Sequence, residues 1–548
     1  MTPRPSTTTS GRRPRPRGRA VVAVMAAAAL LLAACGTPED ADTPADPDDE
    51  AGVDDEGDSD AETAAGEPTR GGVLRVSAEA QPSTLDPMAG NIGSDHMFLY
   101  PIYDTLVDLD PETGEAVPML ATDWEFEDPQ TLIMELRDDV TFHDGEPFDA
   151  EAVAFNIDRA QNDPNTNIAP DVGSVTSVEV VDEHTVELSL ANPDAGLPLK
   201  LADRAGMMIS PAAAEEHGED LGRNPVGTGP HQFVEWRDGE AVIYERYEDY
   251  WQEDLPYLDG IEMIPHEDRQ VGVNALMAGE VDMMHVIPGA MVEPLEEDGD
   301  ITVDISSTLF INILYIDMSE EPFDDARVRR ALNYAVDREA ILEGAYSGVG
   351  ETAKTLLPED HWAYPDDLDP EYEHDPDLAR ELLEEAGHGD GFSIEMGTNP
   401  DGDDVRRAEI VQANLAEVGI DVSVESAPVA EATQRFFEER DWPLYNSAWT
   451  GRPAPQLTYD LVFNPESYFN AGSVEVEGLQ EHLDLADTEE EVADQAAALA
   501  EAADMVAEEA PFVPLHNRAE VAAFRGGVQG FQSHPLGKMR LDHVHLDE

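Results

Sequence analysis

Residues 404–424 read DVRRAEIVQANLAEVGIDVSV. The pattern predicts a helix over 404–418, a stop at Gly419, and a strand in which Ile420, Val422 and Val424 share one face. A helix passed through a glycine stop into an alternating strand is a sign of α/β layering. The same grammar recurs outward from this stretch. Residues 374–387, HDPDLARELLEEAG, have an Asp cap, a proline at the first helical position and a terminal glycine. Asp324 reads as the N-cap of a helix whose apolar stripe is Val328, Ala331, Leu332, Ala335 and Val336. Strand patterns stand at residues 71–77 and 132–137. Residues 177–190 hold two alternating runs about a turn at 182–184, a β-hairpin. No repeat of 20–50 residues is visible, and no low-complexity segment follows residue 70.

The chain has 548 residues, enough for several lobes rather than one core. Its first 35 residues are not part of that body. Six arginines precede an apolar run at residues 20–34, which ends in Leu32-Ala-Ala-Cys35. That run is shorter than the roughly 20 residues a membrane-crossing helix needs, so 1–35 reads as an export signal. Its end resembles a bacterial lipobox, which implies cleavage before Cys35 and lipid on its thiol and new amino terminus. Cys35 is the chain's single cysteine. The general secretory route suits the Arg-Pro alternation better than twin-arginine export. Residues 36–69 hold 14 acidic residues and no Lys or Arg before Arg70, and read as a self-repelling tether between anchor and body.

Charge narrows the partners. The sequence carries 31 Lys+Arg against 119 Asp+Glu, net -88. Removing the six signal arginines leaves 25 cationic groups against 119, or -94, with Lys200, Lys354 and Lys538 the three lysines. Such a surface excludes nucleic acid as a partner, because phosphates need Lys and Arg. It points to a salty habitat in which screening relieves the self-repulsion.

Catalytic motifs are missing. There is no Gly-x-Ser-x-Gly elbow, phosphate loop, His-Glu-x-x-His or cysteine pair. His543-Val-His545 could chelate a metal, but near a terminus such a pair is more often just polar. No catalytic residue, cofactor or metal is expected.

Seven segments, in this order and spacing, resemble one family. They are Ser83-Thr-Leu-Asp-Pro87, Ile102-Tyr-Asp-Thr-Leu106, Leu120-Ala-Thr-Asp-Trp124, the run VTFHDGEPFDAEAV at 140–153, NPVGTGP at 224–230, Gly279-Glu-Val-Asp282 and PFDDARVR at 322–329. The family is that of the extracytoplasmic solute-binding lipoproteins of the oligopeptide, dipeptide and nickel class, which serve ATP-driven importers. The resemblance spans about residues 71–530. It implies a two-lobed, type II periplasmic-binding-protein-like α/β fold with a hinge and an extra subdomain in the first lobe. Lobe one maps to about 70–305 plus 516–548, with the insert at 110–222, and lobe two to 306–515. The chain crossings map near 306–310 and 511–516. The implied role is capture of a small or peptide-like solute, handed to a permease and its ATPase by a monomer anchored to the outer face of the cytoplasmic membrane.

The resemblance also gives meaning to PLYNSAWTGRPAPQ at 443–456. Many peptide-binding members carry here an aspartate for the peptide's amino terminus. This chain has Arg452 and Ala454 instead, which tells against a free peptide amino terminus. Arg452 is expected to face the cleft and pair with a carboxylate, other anion or carbonyl of the solute. The bland alternative is a surface ion pair, or stacking on Trp449. Trp449 and Tyr445 are candidate stacking partners of the solute, with core packing as the alternative. Asn91, in the loop 88–94, matches a family ligand-facing position. Two other classes compete: a secreted lipoprotein hydrolase and a sensor built on the same fold.

Overall fold

The computed structural model describes residues 68–547 apart from 91, 92, 112, 366 and 490. The expectations for the signal, Cys35, most of the tether and Asn91 lie outside the described residues.

In 404–424 the helix is Gly402–Glu417, two residues earlier than the apolar pattern suggests, because the Asp401 side chain accepts from Asp403 N. Gly419 takes φ +91, the left-handed turn that a side chain would resist. Strand Ile420–Ser426 then pairs in parallel and in register with Phe392–Thr398 across the helix, a βαβ unit. Helix Ala326–Ala335 is capped by Asp325, one residue beyond the expected Asp324. Helix Pro376–Glu385 has the expected Asp375 cap and Pro376.

These strands join an 11-stranded sheet whose centre is a pair of long antiparallel strands, Ile301–Ile316 and Phe512–Arg525. Their pairing is regular from Ile301↔Arg525 to Ser307↔Ala519, breaks, and resumes at Ile311↔Asn517. Buried cores divide at that break. One side holds a cluster built on Leu74, Tyr103 and Met263, and another on Val273 and Leu295. The other side holds clusters built on Ile311 and Trp442, and on Leu314 and Leu415. The molecule is therefore two lobes on one continuous sheet, joined by two strands that bend where their ladder is interrupted. Beyond the break, His516 fixes the second strand. Its Nδ1 faces Asn312 Nδ2 at 2.9 Å and its Nε2 faces Val349 O at 2.9 Å, so Nε2 carries the proton and the ring is neutral. Burial pushes its pKa down to about 4.

The first lobe also carries a separate four-stranded sheet, in the order Ala121–Asp128, Thr131–Leu136, Thr185–Leu190, Val175–Asp182. The last two form the hairpin read in the sequence. Helix Ala150–Asn162 covers it, started by Asp149, whose Oδ1 accepts from Ala152 N at 2.9 Å. Among the described residues no helix is long and apolar enough to cross a membrane.

Candidate functional site

Strand Leu444–Thr450 pairs with the first crossing strand from Ile316↔Leu444 to Phe310↔Thr450, so it ends at the ladder break. Gly451 follows, its N–H donating to Leu309 O at 2.9 Å. A Cβ there would lie 2.4 Å from that carbonyl, so the chain can turn against the crossing strand only at a glycine. Arg452 N then donates to Thr458 Oγ1 at 3.0 Å, which ties the turn to helix Pro455–Phe463. The turn spans the lobes. Ala454 and Leu457 pack into the first lobe's core, a Cβ on Gly196 would come 3.1 Å from Ala454 Cβ, and Ala195 N donates to Asp487 O at 3.0 Å.

This frame places Arg452 half-buried between the lobes. Its Nη1 donates to Thr450 O at 2.7 Å, and the guanidinium lies 5.2 Å from the centre of the Trp449 ring. Among the described residues no carboxylate comes within 4.0 Å of it. The surface ion pair is therefore not what holds this side chain, although the aromatic contact is present.

Trp449 and Tyr445 share a face of one strand but not one environment. Trp449 is 3% exposed, packed edge-on against Phe469, and its Nε1 has no hydrogen-bond partner. Tyr445 is 1% exposed, stacks on Tyr315 and Trp442, and donates its hydroxyl to Asn399 Oδ1 at 2.7 Å. Its ring and hydroxyl are thus engaged inside the second lobe.

Facing Arg452 are first-lobe groups that the sequence did not single out. Its charge acts on His96, Asp171 and Lys538. His96 is pushed well below its ordinary value by burial, then by Lys538, with Asp203 opposing; among the described residues its buried Nδ1 has no partner. Burial pushes the Asp171 carboxyl up while Arg452 opposes it. Asp203 is pushed up by burial, yet His96, Lys538 and Arg204 together hold it below the usual range. Arg204 Nη1 reaches Gly90 O at 2.7 Å, fixing the loop that leads to residue 91. These residues come from short 3-10 turns and the C-terminal segment, where no periodicity marks them. Asp171 is a first-lobe carboxylate on which the Arg452 charge acts. Among the described residues no group of three or more His, Cys, Asp or Glu is placed to hold a metal, and His543 and His545 form no such group.

The family model for bacterial extracellular solute-binding proteins, family 5, matches residues 115–468. The chain belongs to that family. As a family 5 protein it is 30% identical over 476 residues to the glutathione-binding protein GsiB of Salmonella paratyphi A, covering 85% of this chain and 92% of the relative. Among solved structures it resembles the periplasmic binding protein DppA of Helicobacter pylori in complex with the peptide STSA. The TM-score is 0.75 and the identity 25%, covering 88% of this chain and 99% of that one. The substrate-binding protein CtaP of Listeria monocytogenes superposes with a TM-score of 0.79 at 20% identity, over 88% of this chain and all of the other, which speaks to fold alone. The fold expected from the seven segments is the fold found: two α/β lobes of the periplasmic-binding-protein type.

Proposed function

We propose that this family 5 protein captures a peptide-like solute bearing a carboxylate between its lobes and delivers it to the permease and ATPase of an importer. Its place is the outer face of the cytoplasmic membrane, anchored through Cys35, and it acts as a monomer without catalysing a reaction. The hinge is the interrupted ladder near 308–310 and 517–519, between a first lobe of about 70–305 plus 516–548 and a second of 306–515. The observation that carries the reading is Arg452: half-buried, between lobes, and without a carboxylate within 4.0 Å among the described residues of a chain crowded with them. A carboxylate accepted there gains a charge-assisted pair that closure desolvates. Asp171, across the gap, supplies the charge for an amino group, and Trp449 Nε1 supplies a further donor. Relatives named for glutathione and for a bound peptide support a peptide-like skeleton. Micromolar capture requires only about 8 kcal/mol.

The test is titration of the purified full chain with glutathione and with dipeptides, followed by analysis of the recovered solutes. Saturable one-to-one binding with every solute recovered intact is expected. Cleavage products would overturn the reading in favour of a hydrolase.

A further inference from the structure

Arg204, Arg452, Arg518 and Lys538 stand apart from the other cations among the described residues. Each remaining Lys or Arg has a carboxylate within 4.0 Å, except Arg338. That guanidinium is taken up by Asn333 O and Oδ1, Tyr372 O and Pro514 O. Four of these five cations without a carboxylate gather in one region. Lys538 lines a crevice with His285, Ser306 and Glu520 at the crossing strands, Arg518 lies 5.1 Å over Phe310 at the ladder break, and Arg204 and Arg452 both act on Lys538. With 119 acidic residues in the chain, cations left unpaired around one interlobe gap call for a cause.

Lys538 shows it most clearly. The other two lysines are paired, Lys200 with Asp194 at 2.8 Å and Lys354 with Glu371 at 2.9 Å. Lys538 has neither a carboxylate within 4.0 Å nor a hydrogen-bond acceptor among the described residues. It is not a loose surface chain. Its segment is held by Gly537 N to His534 O at 2.8 Å and by Leu309 N to Pro535 O at 3.2 Å, the latter anchoring it to the crossing strand. Burial disfavours its charge, Arg204 and Arg452 add to that, and Asp203 and Glu520 offset part of it from longer range. An ammonium so placed is costly unless an anion arrives to pair with it.

The geometry points to Lys538 as a second anion-binding residue of the interlobe site: the solute carries a second carboxylate, set against Lys538 on the first lobe while the first meets Arg452. This rests on the reading of Arg452 given above, and the test separates the two. The purified full chain is offered equal concentrations of Glu-Glu, Gln-Gln, Glu-Gly and Gln-Gly, and retained peptides are quantified by mass spectrometry after denaturation. At least tenfold enrichment of each Glu peptide over its Gln counterpart is expected, abolished by Lys538→Gln and kept by Lys538→Arg. Arg452→Gln is expected to release all four. Equal retention of Glu and Gln peptides by the wild type overturns the second subsite, and so does enrichment that survives Lys538→Gln or is lost in a folded Lys538→Arg. If Arg452→Gln releases every peptide while Lys538→Gln changes nothing, Lys538 alone is refuted. Undiminished retention by Arg452→Gln refutes the function, and no retention by the wild type refutes both.

Discussion

Two side chains in one strand show what a sequence reveals about a site and what it withholds. Arg452 was legible because cations are scarce in this chain, so one beside two aromatics invites a question. Tyr445 and Trp449 were not separable, since both occupy the same face of a strand. Only tertiary packing assigns Tyr445 to Tyr315, Trp442 and Asn399 and leaves the Trp449 N–H unmatched. Asp171 lies far before Arg452 in the chain and Lys538 well after it, and no local pattern announces either. Replacing Arg452 with Ala is expected to weaken solute binding at least tenfold, about 1.4 kcal/mol, in calorimetric titration; unchanged affinity would remove it from the site. A buried donor without a partner costs about 1–3 kcal/mol. Trp449→Phe is therefore expected to leave the melting temperature of the solute-free protein unchanged or higher while lowering solute affinity several-fold. Equal affinities would mean that the indole N–H meets no solute.

At the level of elements, the helix-glycine-strand unit at 402–426 was readable because cap, stop and alternation agree. The elements that build the gap were not, because they are short 3-10 turns and a Gly-Arg turn whose shape is set by contacts between lobes. Those contacts make predictions of their own. Gly196 leaves no room beyond Ala454, so Gly196→Val is expected to fold normally but to show a smaller solute-induced rise in melting temperature than the wild type. An equal rise would show that this contact does not form on closure. Asp487, whose main-chain O accepts from Ala195 N, has its carboxyl pushed up to about 7 by burial, then by Asp194, with Lys200 opposing. A folded pKa above the unfolded value of about 3.9 means that this contribution is full below that value and lost as pH rises through 7. From pH 5 to 7 the wild type is expected to lose up to about 1.4 kcal/mol per pH unit relative to Asp487→Asn. Denaturant unfolding of both proteins checks this, and parallel profiles would contradict it.

For the whole molecule, seven weak segments in order carried the fold more surely than any single motif, since order and spacing reflect the topology of the sheet. Solute identity stayed hidden because the gap is lined from both lobes and the C-terminal segment at once. A folded body bearing most of the -94 charge repels itself, and a Debye length falling from about 10 Å at 0.1 M to about 3 Å at 1 M salt screens that repulsion. The melting temperature is accordingly expected to rise between 0.1 and 2 M KCl, and a flat profile would show that the carboxylates are already locally compensated. The central claim, a receptor that closes on a carboxylate-bearing solute at Arg452, is tested most directly by denaturing release and mass spectrometry of what co-purifies with the full chain and with Arg452→Gln. The account predicts a stoichiometric small organic solute with a free carboxylate from the wild type and none from the variant. A solute lacking any anionic group, or one retained equally by both proteins, would contradict it.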